Sequence, residues 1–171
     1  VRTRREQWLA CGGCFVALSL TGAVMLLLAG PVGYMLVGGA VFVLLVITGW
    51  WYLQRLRATA AFRARYAPEG KDLLIVYTDS GLWSDHIDSN WIPRWGHRAV
   101  VLNRSRPWQA DSVEAHLWRI MAGTAEHTPV VIVVPRHGAA RVVRFFLAFR
   151  DRRSRENDVM GAEAEVERLL E

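Results

Sequence analysis

The sequence predicts an α/β protein in which a two-helix transmembrane hairpin precedes one α/β domain. Three observations predict it. Residues 8–29 and 34–53 carry no charged side chain, and each is close to the ~20 residues a helix needs to cross a hydrocarbon core. From Leu73 onward, short β-branched runs alternate with stretches of helical periodicity, as strands joined by crossover helices do. Finally, the connection "PRHGA", 135–139, separates two apolar runs too closely for a helix to fit between them, which is the spacing of a strand hairpin.

The hairpin comes first. Between the two uncharged segments stand Gly30, Pro31, Val32 and Gly33, a turn so short that the spans are expected to be antiparallel. Arg2, Arg4 and Arg5 precede the first span, Arg55, Arg57, Arg63 and Arg65 follow the second, and the turn is uncharged. The positive-inside rule then places both termini, and the domain that follows, in the cytoplasm of a bacterial inner membrane. Trp8, Trp50, Trp51 and Tyr52 lie at the inner ends, where interfacial aromatic residues collect. The first segment is too long for a cleaved signal peptide, and a second span follows it.

The expected organisation is a transmembrane hairpin over residues 1–53, a helical stalk over 54–70 and a cytoplasmic domain over 71–171. Phe62 and Tyr66, four apart, suit a helix that continues out of the membrane, and Pro68 with Gly70 would end it. The net charge of +5 does not describe the domain. Residues 1–70 hold seven Arg and two Glu, whereas residues 71–171 hold fourteen basic and fourteen acidic residues. The domain is therefore neutral, and no nucleic acid is expected as a partner. The basic excess belongs beside the anionic inner leaflet, so the bilayer is the first expected partner.

Within the domain, "LLIVY", 73–77, reads as a buried strand. Ile87, Trp91, Ile92 and Trp95 then form one face of a helix that Ser84 or Asp85 would cap. "RAVVLN", 98–103, is a second strand, and 112–123 a helix with Val113, Leu117, Ile120 and Met121 on its buried side. "PVVIVV", 129–134, is a third strand, and the alternating order favours parallel pairing. "RVVRFFLAF", 141–149, is β-branched and aromatic, and follows the turn at Gly138 closely enough to be a fourth strand. A helical region closes the chain from Ala162 to Leu170. Were 141–147 helical instead, a three-strand Rossmann-like sandwich would result.

With the fourth strand in place, the order of elements over about residues 72–171 resembles the thioredoxin fold. Pro129 stands where that family carries its cis-proline, and "YTDSGLWSDHI", 77–87, where it carries the Trp-Cys-Gly-Pro-Cys loop. Both loop cysteines are missing. The chain's Cys residues are Cys11 and Cys14, inside the first apolar segment, where neither a helix N-terminus nor a basic neighbour can activate a thiolate. What the resemblance implies is a binding surface without redox chemistry. The layout "VYTDS…WIPRW…RAVVLN…VVIVVP" is also similar to that of small bacterial two-span membrane proteins, a likeness that implies no activity.

The candidate binding surface is accordingly Asp79, Ser80, Trp83, Asp85, His86 and Pro129. Trp83 precedes the helix and is off its apolar face, so its ring is expected to be partly exposed. Asn103, Arg104 and Arg136 would end strands on the same edge and offer an anion contact. Asp79, Asp85, His86 and Asp88 contain metal-ligating types, but Gly81 stands where a phosphatase of the haloacid-dehalogenase kind has its second aspartate. No metal or cofactor is expected. There is neither a G-x-S-x-G elbow nor a G-x-x-x-x-G-K loop, and no catalytic residue is assigned. The expected function is a redox-inactive, membrane-anchored interaction or assembly module with an unidentified protein partner. The alternative is a membrane-tethered enzyme that uses the 79–88 cluster on a phosphorylated or lipid-linked substrate.

Overall fold

The computed structural model describes residues 4–123, 128–151 and 155–171. It is a mixed α/β structure with one long apolar helix and a four-stranded mixed sheet. Two compact units divide the chain, Val1–Leu53 and Gln54–Glu171.

Helix α1 runs over Arg4–Tyr66, and its backbone leaves helical geometry at Gly30, with φ 56° and ψ −140°. A side chain would make that conformation costly, and Pro31 has no N–H to bridge the break. The interruption is thus one residue, not the four expected from Gly30 to Gly33, and Pro31 already starts the next helical stretch. From Gly30 to Glu69 the helix is long and apolar enough to cross a membrane. A Cβ placed on Gly22 would lie 3.5 Å from the Val37 side chain, although fifteen residues of unbroken helix would separate the two by about 22 Å.

In the second unit the strands are β1 (Leu73–Tyr77), β2 (Ala99–Asn103), β3 (Val130–Val133) and β4 (Arg141–Arg144), in the order β2-β1-β3-β4. Only β1 and β2 are parallel, paired from Leu73↔Ala99 to Tyr77↔Asn103. β3 runs antiparallel to β1, and β4 antiparallel to β3, so the all-parallel expectation fails beyond β2. The reason is the entry of β3: Val130 pairs with Val76, at the end where β1 finishes. Gly138, at φ 89°, makes the turn into β4. The fourth strand excludes the three-strand sandwich, but it stops at Arg144, and α5 (Phe146–Arg150) takes up the rest of the expected strand.

Strand periodicity sends alternate residues to opposite faces, and both faces are covered. Leu73, Ile75 and Tyr77 join Ile87, Trp91, Trp95, Phe145, Phe149, Val159 and Val166 in one core. The helical stretch 84–95, made of α2 (Ser84–His86), the turn Ile87–Trp91 and α3 (Ile92–Trp95), and α6 (Arg155–Leu170) supply that layer. Residues four apart drift by about 40° per step on an α-helix. A π turn over Ile87–Trp91 takes up this drift and keeps Ile87, Trp91 and Trp95 buried on one side.

The opposite core contains Leu74, Val76, Val130, Ile132, Leu117 and Trp118, together with Ala58 and Phe62. α4 (Val113–Ala122) begins at Ser112, whose Oγ accepts the Ala115 N–H at 3.2 Å. It buries Ala115, Leu117, Trp118 and Ala122, while Val113, Ile120 and Met121 are only half-buried. Ala58 and Phe62 come from the stretch expected to be a stalk. Phe62 is fully buried, and the Arg63 Nε–H donates to the Pro135 carbonyl at 2.8 Å. The stretch is therefore a core helix of the domain, because β1 and β3 leave an apolar face that α4 alone does not cover.

Candidate functional site

The end of the sheet at which β1 and β2 finish and β3 begins gathers three of the sequence-derived candidates. Asp79 follows β1 by two residues and is exposed. Its Oδ1 accepts the Asn103 amide at 2.5 Å, and its backbone N–H donates to Ser105 Oγ at 2.9 Å. Asn103 Oδ1 in turn accepts the Ser105 N–H at 2.9 Å. The carboxylate thus ties the two parallel strand ends together. Ser80 organises the chain that follows: its carbonyl accepts the Trp83 and Ser84 N–H groups at 3.0 and 2.9 Å. This replaces the expected cap, since neither Ser84 nor Asp85 bonds the helix start through its side chain. Pro129 is buried at the adjacent end of β3, behind a cis Thr128–Pro129 bond, and its carbonyl accepts the Phe145 N–H at 3.0 Å.

Trp83 requires a correction. Its ring is 7 % exposed and belongs to the core, edge-on to Phe146 and Phe149 at 6.1 and 6.3 Å. The indole N–H donates to the Thr78 carbonyl at 2.9 Å. That bond satisfies the polar end of the ring, so an indole that precedes the helix can still be buried. The exposed neighbour is Leu82, at 40 %.

Asp85 and His86 lie outside that group, and only His86 joins another. Asp85 is exposed. His86 Nε2 lies 2.8 Å from Glu163 Oε1, which also accepts the Trp91 indole N–H at 2.7 Å. One turn on, Glu167 accepts the Trp95 indole N–H at 2.6 Å and the Arg94 Nε–H at 2.8 Å. Glu163 and Glu167 are not among the residues that the sequence singles out. The signal that finds them is a matched spacing: two carboxylates four apart face two tryptophans four apart, and a buried indole N–H needs an acceptor.

Asp88 accepts the Tyr77 hydroxyl at 3.2 Å. Burial, and then the Asp88 charge, push the Tyr77 phenol above its ordinary range. Asp79, His86 and Asp88 are thus bonded to three different partners, and among the described residues no His, Cys, Asp and Glu side chains gather as a metal centre requires. Arg136 follows β3 and lies at the far end of the sheet from Asp79, because β3 is antiparallel. Asn103 and Arg104 remain at the Asp79 end, with the Arg104 guanidinium 4.5 Å from the Trp118 ring centre.

Two consequences are measurable. Trp83→Ala should destabilise the domain by about 3–5 kcal/mol, the cost of emptying a buried aromatic site, read as a lowered denaturant midpoint. A change within about 0.5 kcal/mol would return Trp83 to the surface. Tyr77 is stabilising while protonated, since its folded pKa lies above the unfolded value of about 10. Its contribution is complete below pH 10 and is lost as pH rises through the folded pKa. Stability should therefore fall less steeply above pH 10 in Tyr77→Phe than in the parent, by denaturation across that range.

Comparison with protein-family models, with curated proteins and with solved structures finds no match to this chain, so its functional reading rests on the geometry above.

Proposed function

We propose that the chain is an inner-membrane-anchored, redox-inactive interaction or assembly module with a thioredoxin-like domain in the cytoplasm. The observation that carries this reading is the strand order β2-β1-β3-β4, with β3 and β4 antiparallel to their neighbours. That order agrees with the resemblance found in the sequence, and Pro129 directly precedes β3, whose first residue Val130 pairs with Val76 near the end of β1. A protein with this surface and no thiol in the domain can hold a partner but cannot exchange disulfides with it. The hairpin draws support from the Gly30 break, from the approach of Gly22 to Val37, and from the arginines flanking an uncharged turn. The partner-facing apolar group is Leu82, the exposed neighbour in sequence of Trp83, whose ring meets Phe146. An enzyme working through residues 79–88 has less support, because Asp79, Asp88 and His86 are already engaged by Asn103, Tyr77 and Glu163.

A reporter active only in the periplasm should stay silent when fused after Glu171; a strong signal would reverse the orientation. Purification of the full chain in native-lipid discs tests the module itself. A stoichiometric protein partner should accompany both the parent and the Cys11→Ala/Cys14→Ala variant, and fall at least about tenfold in Leu82→Asp, an apolar contact replaced by a buried charge. Loss in the cysteine variant would point to thiol chemistry, and undiminished capture by Leu82→Asp would move the surface elsewhere.

A further inference from the structure

The loop between β2 and α4, residues 104–112, is built in a way that the partner surface does not use. The Arg104 guanidinium lies against the Trp118 ring, and its Nε is shut off from solvent without an acceptor. Trp108 stands edge-on to the same indole at 6.1 Å and is half-buried, while Arg106 and Pro107 are exposed. Arg119 holds the far part of the loop by donating to the Ala110 carbonyl. Among the described residues, neither Arg104 nor Arg106 has a carboxylate in ion-pair contact. The loop thus presents the exposed Arg106 guanidinium together with the half-buried Arg104 and the amphipathic Trp108 indole.

Its position within the unit matters as much as its composition. Arg63 is bonded to the carbonyls of Pro135 and Gly138, beyond the end of β3 that lies beside the start of β1. The Lys71 N–H donates to the Tyr66 carbonyl just before β1 begins. The core helix therefore finishes at that end of the sheet, and its first residues, from Gln54, lie toward the end from which the 104–112 loop emerges. Gln54 is also where the chain enters this unit from its apolar segment. Residues 54–66 contain Arg55, Arg57, Arg63 and Arg65 and no carboxylate.

We infer that this end of the domain rests on an anionic bilayer surface, with Arg104, Arg106 and Trp108 as the contact loop. Guanidinium groups take lipid phosphates through paired N–H donors, and an indole suits the headgroup layer because one edge is polar and the rest apolar. Each arginine adds attraction that fades within a Debye length, so only residues at the membrane-proximal end contribute. The inference rests on the anchor part of the proposed function, and the experiment separates the two.

The full chain, with Cys11→Ala and Cys14→Ala, carries a nitroxide at Gln109→Cys and is reconstituted in phosphatidylcholine vesicles with or without phosphatidylglycerol. Access of an aqueous nickel chelate to the label should fall about fivefold in the anionic vesicles. Arg106→Glu, at an exposed position outside the core, should restore access. Equal access in both vesicles, or protection that survives Arg106→Glu, overturns the lipid contact while the anchor stands, because the chain still floats with either vesicle. Inorganic phosphate added to neutral vesicles should leave access unchanged; protection there would assign the loop to a soluble anion and overturn the lipid assignment. A chain that floats with neither vesicle overturns the anchor, and this inference with it.

Discussion

The second unit depends on a central strand that is buried on both sides. Every residue of β1 is buried, and Leu73, Leu74, Ile75 and Val76 are fully so. A strand with two apolar faces needs a helical layer on each, and its backbone polar groups must be met by neighbours at both edges. β2 and β3 meet the edges, α6 and the 84–95 stretch cover one face, and α4 with the core helix covers the other. Burying five consecutive side chains in this way makes the arginine-rich stretch after the apolar segment a structural part of the domain.

Much of this architecture was legible in the sequence because period and turn chemistry are local properties. "LLIVY" and "PVVIVV" are apolar at every position, which reads as a strand covered on both faces, and Gly138 marked a turn that its φ of 89° confirms. The helix expected over 112–123 is found as α4, Val113–Ala122, for the same reason. The direction of β3 was not, since it depends on which end of the sheet the chain enters after α4. The role of residues 54–66 was also hidden. Phe62 and Tyr66 give the same four-residue spacing on an exposed helix as on a buried one, so the tilted contact of their rings, with centres 4.9 Å apart, does not tell the two apart.

The candidate residues divide along similar lines. Asp79, Ser80 and Pro129 meet at one end of the sheet because strand ends are set by the apolar runs before or after them. Trp83 was misjudged for a reason particular to indoles: its single donor found the Thr78 carbonyl five residues back, which no periodicity reveals. Glu163 and Glu167 are surface residues by type, and in an acidic, charge-rich tail nothing distinguishes them until Trp91 and Trp95 are placed opposite. Arg98 shows the same dependence on tertiary structure, since its bond to Asp72 joins the start of β2 to the start of β1 and holds the guanidinium in its charged form.

The core helix also has a mechanical consequence. Within the domain, residues 54–66 have no slack against the sheet: Ala58 and Phe62 lie inside the core and Arg63 is bonded to the β3–β4 connection. A displacement or rotation of residues 54–66, whatever imposes it, is delivered to the face of β1 and β3. Tension on residues 54–66 would be resisted by the packing of Ala58 and Phe62 and by the Arg63 bonds before any loop of the domain extended.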